Sequence, residues 1–216
     1  MIRFSTFTLI CLLVIFTSYI PANNQSSIEG IIIDPTIKDS VEKLITKSEF
    51  EFNEQSQISV YNNKVFAEIF ENDKLAVSTY DNPPSLVFKS FYYLKTDSLF
   101  IDGSFGLFTG MGFTISIANK KATLAHMLTS DESPSYAYNE KSALLFRINV
   151  PCVDTKIILS ELPDPTKKST IYGYVEFKSK DYYSSSGSAD GKEILPRSKN
   201  RANMKIYFKS NFLPLD

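Results

Sequence analysis

The sequence predicts a mostly-β protein. The expected form is an antiparallel β-sandwich, with a β-barrel as the runner-up, of about ten short strands and one N-terminal helix. Two patterns and one absence predict it. Apolar residues alternate with period two in short runs, and turn signals separate the runs every 8–12 residues or so. A single 3.6-period apolar stripe occurs, near the N-terminus. No helix of useful length falls between strands, which argues against a parallel α/β sheet.

Asp34-Pro35 reads as a helix start, an acceptor followed by proline at the first helical position. Ile37, Val41, Leu44 and Ile45 form the stripe of one helix ending near Ser48, expected to cover one end or edge of the sheet. Residues 58–60 and 65–70 flank Asn62-Asn63 and read as a hairpin. Asn72-Asp73 marks a second turn before residues 75–80. Asn82-Pro83-Pro84 then interrupts pairing, because proline cannot donate to a ladder. Residues 86–94 and 99–101 are β-rich, and Asn119-Lys120-Lys121 joins 113–117 to 122–128 as a hairpin. Further strands are expected at 144–150, 156–159, 170–178 and 204–208. Residues 184–202 read as a flexible loop, because Ser, Gly and charge leave little to bury.

Met1-Ile2-Arg3 precedes a charge-free run over 4–20, continuously apolar at 9–16. Residues 1–22 therefore read as a secretory signal peptide cleaved after Ala22, followed by a linker over 23–33 and a single domain over 34–216. The product is expected to be secreted, periplasmic or in the cell envelope. The alternative is an uncleaved anchor, weakened by Ser5, Thr6, Thr8, Thr17 and Ser18, which dilute a span that needs about 20 apolar residues. Membrane association follows only in that case. Cys11 lies mid-run after Ile10, where a lipidation site does not fit. Without the leader, Cys152 is the single cysteine and has no intrachain partner.

Composition excludes several classes. The chain has 216 residues, 43% hydrophobic and 22% charged, with 2 Cys and 1 His. That balance is neither disordered nor collagen-like, and it cannot build a Cys-rich or multi-imidazole zinc centre. Charge is unevenly spread. Residues 23–102 hold 13 Asp+Glu against 7 Lys, and 167–209 hold 10 Lys+Arg against 4 Asp+Glu. Either the basic part meets an anionic partner or the two stretches lie side by side. A pI near 5.9, with no basic motif interleaved with aromatics, speaks against nucleic acid.

No cofactor or metal motif is present. Gly103, Gly106, Gly110 and Gly112 lack the lysine and the following helix of a phosphate cradle, and read as tight turns and bulges. His126 shares an apolar strand face with Leu124 and Leu128 and reads as a core residue. Cys152 reads as a buried thiol, and a catalytic thiolate there would need His126 as its base. No Gly-x-Ser-x-Gly elbow exists. Asp97, Asp102, Asp131, Glu132, Asp164 and Asp181 are carboxylates whose pairing sequence cannot fix. The most suggestive feature is one face of 171–178, where Tyr172, Tyr174, Glu176 and Lys178 alternate with Ile171, Gly173, Val175 and Phe177. Flat rings beside charge suit a protein or carbohydrate partner. The expected function is an exported, non-catalytic binding or structural module. The alternatives are a β-barrel carrier of a small apolar ligand, and a hydrolase-type enzyme using His126, Cys152 or a carboxylate pair.

Overall fold

A computed structural model describes residues 27–48, 58–106, 110–185, 193 and 195–215. The expected leader lies outside these residues. No described helix is long and apolar enough to cross a membrane. The fold is mostly antiparallel β with one short helix. It is sandwich-like and does not close into a barrel.

The first sheet runs β2 (Ile45–Lys47), β3 (Ser59–Lys64), β6 (Ser85–Lys95), β7 (Ser98–Phe105), β8 (Gly110–Ala118), β9 (Lys121–Thr129) and the first part of β11 (Arg147–Leu159). The second runs β1 (Ile32–Ile33), the rest of β11, β12 (Ile171–Ser179), β14 (Ser198–Phe212), β4 (Phe66–Glu71) and β5 (Lys74–Ser78). Two short strands, β10 (Tyr136–Ala137) and β13 (Tyr182–Ser184), extend its β14 side. Their inner faces meet in one core, where Phe113 of the first sheet packs on Phe208 of the second with ring centroids 4.8 Å apart.

Two strands belong to both sheets. β11 pairs β9 through Pro151 and β12 from Cys152 onward. Pro151 cannot donate a hydrogen bond, and it stands where the strand changes partner. The register also shifts between Val153 and Lys156, with Asp154 at φ +49°, so 144–150 and 156–159 are parts of one bent strand rather than two, and 144–146 precede it. β14 pairs β12 and β4, and its last residues Asn211 and Phe212 pair β6 in parallel.

Three further expectations are corrected. Asn62-Asn63 is not a turn, since β3 runs straight through it. Asn63 is buried, and its Nδ2 donates to the Tyr207 carbonyl of β14. Residues 28–33 are not a linker. Glu29 exchanges backbone hydrogen bonds with Lys120 and Ala122, Asp34 N–H donates to the Leu159 carbonyl, and Ile28, Ile31 and Ile33 pack on the core. Within the expected loop, 198–202 are the start of β14, and Arg197 ties to Glu193 and to the carbonyls of Asn139 and Ser142. The intervening residues 186–192 and 194 lie outside the described residues.

The helix α1 spans Ile37–Leu44. Asp34 Oδ1 accepts from Thr36 N–H at 2.9 Å and Thr36 Oγ at 2.7 Å, and this hydroxyl holds the Asp34 carboxyl below its usual range. The chain turns there and α1 begins after Thr36, while β-branched Ile45 and Thr46 leave the helix to pair β3. α1 lies on the outer face of the second sheet, not on an end or edge. Ile37 and Val41 pack against Tyr174, with Tyr172, Ile158 and Tyr207 around them. Tyr174 is only 7% exposed. Truncation Tyr174→Ala should therefore cost about 3 kcal/mol, the usual size for losing a buried aromatic. Urea unfolding checks this: the midpoint should fall at constant slope, and an unchanged midpoint would mean that α1 does not depend on this ring.

Candidate functional site

The alternation read in β12 is correct, but Tyr174 does not face solvent and Tyr172 does so only in part. Tyr174 sits beneath α1 with its ring 4.7 Å from that of Tyr207, and Tyr172 is half-buried with the Lys38 ammonium 5.3 Å above its ring. Burial, and then the Glu176 carboxylate, push the Tyr174 phenol well above its usual range, and its hydroxyl donates to Glu176 Oε2 at 2.8 Å. Glu176 also meets Lys205 at 3.4 Å, and Lys178 meets Asp154 at 3.0 Å. Both line a cleft of about 340 Å³ with Glu68 and Asn203. Its opposite charges are paired with one another, and Asn203 Nδ2 donates to Glu68 at 3.0 Å.

His126 and Cys152 lie on neighbouring strands, but neither is in a reactive state. His126 is fully buried between the rings of Phe177 and Tyr182, at 5.6 and 5.7 Å. Its Nδ1 lies 2.9 Å from the Gly112 carbonyl, which makes Nδ1 the donor and leaves Nε2 bare, without a partner. Burial pushes the imidazole down to about 4 and the Cys152 thiol up to about 12. At neutral pH both are uncharged, so a thiolate–imidazolium pair does not form.

The outer face of the first sheet holds the arrangement that sequence reasoning missed. Ladder registers set Lys89, Ser104, Gly112 and Met127 in one row across β6 to β9, and Phe91, Asp102, Thr114 and Ala125 in the next. Gly112 lets β7 and β8 approach, since a Cβ there would lie 1.9 Å from the Gly103 carbonyl oxygen. Over these rows opens a cavity of about 340 Å³, walled by Lys89, Phe91, Asp102, Asp131, Phe146 and Arg147 among others.

Asp102 is its fixed point. Its side chain is 6% exposed, and Oδ2 accepts from Arg147 Nη2 at 3.2 Å and from Tyr93 hydroxyl at 3.4 Å. Oδ1 has no hydrogen-bond partner. Loss of water pushes the Lys89 ammonium below its usual range, with Asp131 opposing and Arg147 adding to that shift. An aromatic run leads away from the cavity: Phe91 lies 5.7 Å from Tyr93, and Tyr93 stacks on Phe100 at 5.3 Å.

Of the carboxylates named from sequence, Asp102 and Asp131 share this cavity, and Asp97, Glu132, Asp164 and Asp181 do not line it. One signal could have singled out Asp102. Aspartate is depleted in strands, so one inside the run 98–105 is out of place unless it has a partner or a task. Nothing in sequence could have brought Arg147 to it. Comparison with protein families, with characterised proteins and with solved structures finds no match.

The buried imidazole sets a pH dependence. Its pKa falls from about 6.5 unfolded to about 4 folded, so between these values the unfolded chain binds the extra proton. Stability should thus drop as pH falls from 6.5 towards 4, by about 3 kcal/mol from this residue, and level off below. In His126→Leu the difference between stabilities at pH 7 and pH 4 should shrink by that amount in urea titrations. An identical pH profile in the variant would contradict it.

Proposed function

We propose that the protein is an exported, non-catalytic binding protein that holds a small organic ligand in the cavity over the first sheet. The observation that carries this reading is Asp102: a buried carboxylate, clamped on one oxygen by Arg147 and lacking a donor on the other, at the wall of a concave site. Buried polar atoms are nearly always satisfied, and an exception invites a ligand. The volume falls at the small end of ligand sites, and the mixture of aromatic wall and few placed charges is typical of them. The neutral states of His126 and Cys152 favour binding over nucleophilic chemistry. Export is supported by the charge-free, apolar run behind Arg3.

Two measurements test these halves separately. In a thermal-shift screen of small organic molecules, the hits should raise the Tm of the wild type and fail to raise that of Thr129→Trp, which fills the cavity. Hits that stabilise both equally, or no hits, would refute the site. The intact mass of the protein recovered outside the cytoplasm should match a chain beginning at Asn23. A full-length mass confined to membranes would replace export by anchoring.

A further inference from the structure

Independently of the cavity over the first sheet, we infer a second site: the cleft on the outer face of the second sheet binds a neutral polyhydroxylated ligand, of the class of a sugar ring. Its hydroxyls would donate to Asp154 and Glu68 and accept from Lys178 and Lys205, with Tyr80 as the apolar wall. Of the face expected from sequence, Glu176 and Lys178 line this cleft.

Ladder registers build its floor. Lys178, Asn203 and Glu68 form one row across β12, β14 and β4, and Glu176, Lys205 and Phe66 form the next. The register shift in β11 leaves Asp154 beside Lys178, 3.0 Å from its ammonium. These groups are open to a ligand. The side chains of Asp154, Lys178, Lys205 and Glu176 are 68%, 55%, 40% and 39% exposed. Each has a partner and keeps bonding capacity. Asp154 meets Lys178 through Oδ2, and Glu68 accepts from Asn203 through Oε2, so each carboxylate has a second oxygen without a hydrogen bond among the described residues. Lys178 and Lys205 each meet a single carboxylate, and an ammonium carries three donors.

The pairing decides the charge of the ligand. An ion would have to draw one partner out of a pair, whereas a hydroxyl both donates and accepts and leaves the pair intact. The pairs also hold these side chains in place before a ligand arrives, which lowers the ordering cost of binding. The carboxylates do not converge on a cation: among the described residues no three metal-ligating side chains meet. Tyr80 has the Phe66 ring 6.4 Å away and the Lys205 ammonium 5.4 Å over its own ring, so wall and floor adjoin. Its ring gives the C–H groups of a sugar an apolar surface.

Saturation-transfer NMR on the full chain tests this with D-glucose, D-galactose, D-mannose and N-acetyl-D-glucosamine, and with D-glucuronate and D-glucosamine as charged counterparts. At least one neutral sugar should bind saturably, and the charged counterparts should bind no more tightly. Lys178→Met, confirmed as folded by its unfolding midpoint, should weaken that sugar by about tenfold, the worth of one charge-assisted hydrogen bond. Asp154→Asn should act likewise, since asparagine tolerates the positive φ of that exposed position. Thr129→Trp, which fills the other cavity, should leave sugar binding unchanged. Absence of saturable binding by all four neutral sugars, tighter binding of a charged counterpart, or equal binding by both cleft variants would overturn the inference. Loss of sugar binding in Thr129→Trp would also overturn it, and would assign the sugar to the cavity over the first sheet. Sugar binding that responds to the cleft variants alone supports the second site even if the thermal-shift screen refutes the first.

Discussion

The fold depends on how the backbone of β14 is satisfied. This strand runs through the middle of the second sheet, and each of its buried N–H and C=O groups needs a partner. β12 and β13 take one edge. On the other edge β4 ends at Lys205 and β6 begins at Asn211, which leaves a gap. Side chains of β3 fill it. Asn63 Nδ2 donates to the Tyr207 carbonyl, and the Tyr61 hydroxyl accepts from Lys209 N–H at 2.8 Å while lying 3.4 Å from the Lys209 carbonyl. Ser210 closes the row with a short hydroxyl contact to Ser90. Two polar side chains thus stand in for a missing strand. Their burial is tolerated because each hydrogen bond replaces one that water would otherwise make. The contact also holds the first sheet against the second, since β3 is paired with β2 and β6 along its two edges and reaches β14 with side chains from its inner face.

The same joining of sheets shapes the candidate site. β11 leaves β9 to enter the second sheet, and the residue at its start, Arg147, pairs across from Thr129 within reach of Asp102 two strands further on. Charge compensation recurs elsewhere. The acidic β4–β5 hairpin lies beside the basic β14, where Lys199 meets Asp73 at 3.1 Å and Asp181 at 3.3 Å. Side-by-side placement is therefore what the uneven charge along the chain meant for this part of it. Exposed pairs of this sort contribute little stability, but they remove the like-charge repulsion that a separated basic half would carry.

Much of the architecture was legible because it is local. Asn72-Asp73 and Asn119-Lys120 both adopt positive φ, as a tight hairpin turn requires, and both turns were recognisable from residue type. The inward half of β12, with Ile171, Gly173, Val175 and Phe177, followed from alternation alone. Asn62-Asn63 was misleading for a physical reason: the amide that favours turns also suits a buried rung of hydrogen bonding, and residue type does not distinguish the two uses. Asp-Pro-Thr occurs at 34–36 and at 164–166 with the same side-chain hydrogen bonds, yet only the first leads into a helix. The apolar stripe of Ile37 and Val41 decides that difference, because it has Tyr174 to pack on.

Of the candidate site, sequence supplied the residue types and not their meeting. Periodicity by itself determined that the chain is mostly β and that His126 points inward, since side chains alternate strictly along a strand; the ladder registers, not the sequence, put Lys89, Phe91 and Asp102 on the face away from the core. Only the tertiary structure decided that Tyr174 is roofed by α1, that Asp102 is clamped by a residue 45 positions away, and that its other oxygen is buried without a hydrogen-bond partner. Those facts depend on which strands become neighbours. Neighbour choice is set by the total burial of the packed sheets, a sum over the whole chain that no local pattern contains.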